Sequence, residues 1–304
     1  MTAAEQAAGQ SDAGDVVIAS SGLVVTISPD GAELQRIVDD AGRDLLWDGD
    51  PAFWTGRAPL LFPIVGGLEG GTYRVDGARY ALPKHGFART SRFETMECGA
   101  DFARFRLTDS DATRAVYPFA FMLDILFTVA GDRLDMVATL TNPGKVVLPA
   151  SFGFHPALRW PLPYGAGRAD HVVRFDRPEP EPVRTVTPAG LIAAEPLSSP
   201  VEGNLLVLRD ELFAVDAVIF DRLQSRGLWY GSAGGTGVRV DFEDMPDLGI
   251  WTKPGAGYLC IEPWQGMADP DGYAGDFREK PGVVEVAPGG SRQFAMRMEF
   301  GVRA

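Results

Sequence analysis

A chain of 304 residues, 45% of them hydrophobic and 23% charged, carries enough apolar side chain for a sizeable core, which excludes a disordered protein. Its formal net charge of −13 and pI near 4.7 argue against nucleic acid as a partner, because phosphate backbones are met by basic surfaces and no basic run is present. No apolar stretch reaches the ~20 residues a membrane-spanning helix needs; Val116 to Val129 is broken by Pro118 and Asp124.

Taken in chain order, residues 1–15 are Ala-, Gly- and Gln-rich, with neither a basic nor an apolar leader segment, and read as a loose, disordered tail. From Leu23 to Trp47 the pattern predicts two or three short strands in a meander, with a turn at Asp30-Gly31. A second hairpin turn is expected at Asp76-Gly77, and Phe105 and Leu107 alternate with Arg104 and Arg106 as in a strand. Gly131-Asp132 should turn the chain into a strand whose Leu134, Met136, Ala138 and Leu140 share one face. Pro161 to Pro200 holds eight prolines and loses the alternation; it reads as a long surface excursion rather than a linker, because candidate site residues come from both sides of it. Val238, Val240 and Phe242 restore the period of two, and Phe294, Met296, Met298 and Phe300 repeat it. The 36 glycines and 23 prolines interrupt every helical stripe. The expectation is an all-β protein, a large antiparallel β-sandwich in which residues 16–304 form a single domain.

Chemistry concentrates at few positions. Only three histidines occur: His85, in Lys84-His85-Gly86-Phe87-Ala88-Arg89; His155, in Phe152-Gly153-Phe154-His155-Pro156; and His171, at the start of an expected strand in Asp170-His171-Val172-Val173, to which no chemistry is assigned. Aromatic and glycine neighbours partly shield an imidazole while leaving room for a ligand, so His85 and His155 are candidate acid–base groups. Glu262 lies between Ile261, Pro263 and Trp264, where desolvation raises a carboxyl towards the range useful for proton transfer. The bland alternative for Glu262 is a buried ion pair with Arg89. Trp54, Trp251 and Trp264 each offer a flat face suited to a sugar ring or to core packing. The acidic run Asp241 to Asp247 lacks the spacing of a calcium loop and reads as a solvated turn. Close His-x-His or His-x-Asp/Glu metal spacing, a Gly-x-Ser-x-Gly elbow and a phosphate-binding P-loop are all missing, so neither metal nor cofactor is expected. Cys98 and Cys260 form no disulfide scaffold or zinc motif, which points to a cytoplasmic location.

Five segments in order resemble the aldose 1-epimerase (galactose mutarotase-like) superfamily, most nearly its LacX-like branch: Pro59 to Gly66, His85 to Arg89, Tyr117-Pro118-Phe119, Phe152 to Pro156, and Cys260 to Trp264. The resemblance implies a β-sandwich with a sugar site on a concave sheet face. It implies Glu262 as general base, His155 as general acid and His85 as a second histidine that binds and polarises the sugar, with Arg89 and Asp216 as further sugar contacts; Trp264 joins them by its flat face. The implied activity is interconversion of α and β anomers of a hexose, with a small-molecule sugar as substrate and neither nucleic acid nor membrane as partner. The alternatives are a non-catalytic carbohydrate-binding or sensing protein and a hexose-6-phosphate 1-epimerase. Neutral hexoses are expected to be preferred, since Lys84, Arg89 and Lys253 are the few cations near the candidate site.

Overall fold

The computed structural model describes residues 14–304 and the backbone of a two-residue strand, Gly9–Gln10, which pairs with Val16 and Val17. Of the tail expected over residues 1–15, residues 1–8 and 11–13 lie outside the described residues. The regular structure is almost entirely antiparallel strand. One nine-stranded sheet runs, edge to edge, through Leu205–Val207, His171–Phe175, Gly227–Ser232, Thr236–Asp241, Ser291–Arg303, Arg133–Thr141, Met122–Ala130, Phe102–Thr108 and Glu94–Cys98. The period-two segments all fall in it, and their apolar members point one way. Leu134, Met136, Ala138 and Leu140, with Phe294, Met296, Met298 and Phe300, are each at most 2% exposed, while the residues between them face outward.

A second sheet of six strands packs on that apolar face. Its order is Val218–Phe220, Asp247–Trp251, Tyr258–Gln265, Phe152–Phe154 and Leu60–Leu61, with Ala157–Arg159 also paired to Tyr258–Gln265. Phe152 stacks on Phe294 of the large sheet, ring centroids 5.0 Å apart and nearly parallel, so aromatic pairs join the two layers. One cluster of buried side chains extends from Val16 to Phe300 through both sheets.

Turn chemistry holds where the sequence places it. Gly31, Asp76, Gly77 and Gly131 all take positive φ, as tight hairpins require. The one α-helix among the described residues, Asp111–Val116, was not anticipated; it is too short to show a period and is started by a reciprocal capping box between Ser110 and Thr113. No helix among the described residues is long and apolar enough to cross a membrane.

The stretch from Pro161 to Pro200 is not wholly the surface excursion expected of it. Its His171–Phe175 segment is a buried strand inside the nine-stranded sheet, and the chain beyond folds back into a small hairpin bridged between Val186 and Ile192. The strand expected to start at His171 is therefore present, five residues long. His171 itself is structural, accepting from the Leu162 amide through Nε2 at 3.0 Å, with Nδ1 2.9 Å from the Gly167 carbonyl.

Candidate active site

The six-stranded sheet has two faces, and alternation along its central strand separates them. In Tyr258–Gln265, Leu259 and Ile261 join the sandwich core, whereas Tyr258, Cys260, Glu262 and Trp264 point the other way. Over this second face lies a cavity of about 180 Å³. His85, His155 and Glu262 line it together with Arg89, Asp216 and Trp264, so all six sequence-predicted residues meet at one place. Lys84, Trp54 and Trp251 line it as well.

Glu262 is 2% exposed and His155 7%; Glu262 Oε2 lies 3.0 Å from His155 Nε2. The buried partner of Glu262 is therefore His155 and not Arg89. Burial drives both groups towards their uncharged forms, pushing the Glu262 carboxyl well above the usual carboxylate range and His155 down to about 3. The Lys84 ammonium opposes the rise at Glu262. The resting arrangement is thus a neutral pair holding one proton. A single hop from Oε2 to Nε2 turns it into a carboxylate and an imidazolium.

His85 is held differently. It sits at φ 69°, a left-handed backbone unusual for a residue with a Cβ, and Gly86 follows at φ 73°. A Cβ on Gly86 would stand 2.2 Å from the Phe62 carbonyl oxygen, so only glycine fits there. The Gly66 amide donates to His85 Nδ1 at 3.1 Å, which leaves the ring proton on Nε2. Burial and the nearby His155, Lys84 and Arg89 hold His85 well below the ordinary imidazole range, making it a neutral hydrogen-bond donor. Its ring meets that of His155 edge-on, centroids 5.9 Å apart.

Aromatic rings form the walls. The Trp54 ring lies 5.0 Å from that of His155, and Trp251 meets Trp54 at 89°. Trp264 lies over two glycines: a Cβ on Gly153 would come 2.6 Å from its Cδ1, and one on Gly249 2.4 Å from its Cη2. Gly153, which the sequence suggested makes room for a ligand, instead makes room for this indole. Val186 and Gly190, from the hairpin in the proline-rich stretch, also line the cavity. No local motif announced them; the contact depends on a fold-back across the sheet.

Asp247 is a further correction. Far from lying in a solvated turn, it is 5% exposed at the head of Asp247–Trp251, accepts from the Gly266 amide at 3.0 Å, and is raised by burial to about 7. The apolar run Leu248-Gly249-Ile250-Trp251 was the available signal that Asp247 opens a strand. Among the described residues, His155, Cys260 and Glu262 are the one group that brings metal-ligating atoms together, all within 4.8 Å. Burial and Glu262 raise the Cys260 thiol well above its ordinary range, opposite to the thiolate a metal draws on.

The two-layer antiparallel sandwich, with His155 and Glu262 buried under aromatic walls, is that of the aldose 1-epimerase class, and the chain belongs to that family: the Aldose 1-epimerase profile matches residues 15–269. Among its relatives is the chromosomally encoded protein LacX of Lactococcus lactis subsp. lactis, 30% identical over 276 residues that span 88% of this chain and 92% of LacX. A galactose mutarotase related enzyme from Lactobacillus acidophilus superposes with a TM-score of 0.88 at 30% identity, covering 95% of this chain and 98% of that one. A galactose mutarotase-like protein from Lactobacillus casei gives 0.87 at 27% identity, covering 94% and 99%.

Proposed function

We propose that the protein is an aldose 1-epimerase that interconverts the α and β anomers of a hexose by general acid–base ring opening. The observation that carries this is the buried Glu262–His155 contact at 3.0 Å, with His85 in the same cavity. In its carboxylate form Glu262 removes the proton from O1. The O1 electron pair becomes the C1=O1 double bond, the C1–O5 bond breaks, and His155 delivers a proton to O5. Rotation about C1–C2 presents the other aldehyde face. On closure O5 attacks C1 and returns its proton to His155, while O1 recovers a proton from Glu262.

Each proton and electron pair is accounted for by these two side chains and the sugar, so the step draws on no redox equivalent. Opposite protonation states are obtained by moving one internal proton, without importing charge into a dry site. His85, a neutral donor, is suited to hold a sugar oxygen through both states, and Arg89 and Asp216 offer further polar contacts. Trp54, Trp251 and Trp264 match the apolar faces of a pyranose. Retention of both histidines and Glu262 favours turnover over a binding or sensing role, since binding alone is met by neutral donors and acceptors.

A hexose 6-phosphate is the second reading, and one observation favours it. Lys84 and Arg89 both line the cavity, whereas Lys253 directs its ammonium to the Phe53 carbonyl. Measuring kcat/KM for glucose and glucose 6-phosphate at two salt concentrations separates the readings. A neutral-sugar enzyme favours glucose at both; a preference of about tenfold or more for the phosphate, weakening with salt, establishes the second.

A further inference from the structure

One buried ion pair lies outside the proposed acid–base machinery. Lys280 Nζ stands 3.0 Å from Asp269 Oδ1, with the two side chains 1% and 3% exposed, and neither atom has another polar partner. A buried pair with so little support is weak evidence for stability, because desolvation offsets most of its attraction. Asp269 is also a crossing point of the backbone. Its N–H donates to the Gly67 carbonyl at 2.9 Å, its carbonyl accepts from the Ile192 amide at 2.8 Å, and its Oδ2 accepts from the Glu69 amide at 2.9 Å.

Each of those segments presents something to the cavity. The Gly66 to Glu69 loop carries Gly66, whose amide sets the His85 tautomer and whose carbonyl accepts from the backbone amide of His85 at 2.9 Å. The hairpin that ends at Ile192 carries Val186 and Gly190. Ala268, next to Asp269, lines the cavity and packs so closely on Gly66 that a Cβ there would come 2.5 Å from its own Cβ.

We infer that Asp269 and Lys280 form a positioning pair that holds the Gly66 to Glu69 loop and the Val186 to Ile192 hairpin in register, and thereby keeps His85 as an Nε2–H donor facing the sugar. Lys280 supplies the countercharge that lets Asp269 act as a buried acceptor for the Glu69 amide. The kinetic part of the inference rests on the epimerase reading; the tautomer part does not.

The test compares Glu69→Pro with Glu69→Ala in the full chain. Both remove the Glu69 carboxylate that accepts from the Gly272 amide, but only proline removes the amide that donates to Asp269. Proline is tolerated at the first position of a helical turn, and Leu68 before it is already extended at φ −112° and ψ 150°. The readouts are the nitrogen NMR spectrum of the His85 imidazole and the split between KM and kcat on the sugar. In the alanine variant the Nε2–H tautomer and a KM within about threefold of the parent are expected; the proline variant should give a mixed tautomer and a KM about tenfold higher, with a smaller fall in kcat. Lys280→Met should reproduce the proline result. Proline and alanine variants alike in spectrum and KM, with the tautomer intact, overturn the inference whether or not Lys280→Met folds. A chain that turns over no sugar still tests it through the imidazole spectrum.

Discussion

Replacing Glu262 by glutamine removes the proposed base while leaving its shape. The side chain is 2% exposed and pushed towards its neutral form, so glutamine, which is neutral and nearly isosteric, introduces no new buried charge and stays within reach of the His155 Nε2 now 3.0 Å away. Stability should therefore hold. Because burial raises the folded-state pKa of Glu262, the proton it keeps favours the fold at low pH, and that contribution is lost as pH rises through the folded value. Glutamine should thus match the parent in acid and exceed it in alkali. Catalysis should behave otherwise, since an amide cannot take the O1 proton: loss of a general base costs roughly 10² to 10⁴ in rate, or about 3–5 kcal/mol of barrier. Polarimetric kcat on α-glucose or α-galactose measures the loss, and quenching of the cavity tryptophans measures sugar affinity in parallel. A folded glutamine variant whose kcat stays within a few-fold of the parent refutes the assignment of Glu262 as base.

His155→Asn should lower kcat more than it raises KM, because the proton to O5 is needed only as the ring bond breaks, whereas His85→Asn should affect both terms; identical defects would end that division of roles. Asp247→Asn should stabilise the protein above neutrality, because a carboxyl raised from 3.8 to about 7 in the fold costs stability progressively as pH climbs through that window. Urea melts should show a gain of ~2–4 kcal/mol at pH 8 that shrinks towards zero near pH 4, and a pH-independent difference would contradict the burial argument. The pH profile of kcat/KM should show no acid limb near the ordinary imidazole value of about 6.5, since His155 is pushed down to about 3 and the pair keeps its single proton across that range. A limb near that value that vanishes in His155→Asn would show that the histidine titrates as an exposed one.

The strands and turns were legible because alternation and turn residues act locally: Leu134 to Leu140 and Phe294 to Phe300 are half-buried by their own pattern, and Asp76-Gly77 needs only its own backbone. His85, His155 and Glu262 were legible as rare titratable residues in apolar surroundings. Their common cavity depends on the strand pairing that sets Gly153 opposite Trp264 and Glu262 opposite Gly249. Pairing at such separation leaves no local trace. For the same reason the sequence missed the Val186 to Ile192 hairpin, and Asp247 was taken for part of an acidic surface run when it is the buried first residue of a strand. Asp269 and Lys280 are unremarkable in sequence because each is charged and flanked by ordinary loop residues; only their mutual burial singles them out.

The most direct test of anomeric interconversion is polarimetry of freshly dissolved α-glucose, α-galactose and their 6-phosphates with and without the protein. At least one of these sugars should relax to its equilibrium rotation at a rate that rises in proportion to protein concentration. Relaxation no faster than in buffer for every sugar, alongside measurable binding of one of them, would contradict the account and leave a carbohydrate-binding protein on the same fold.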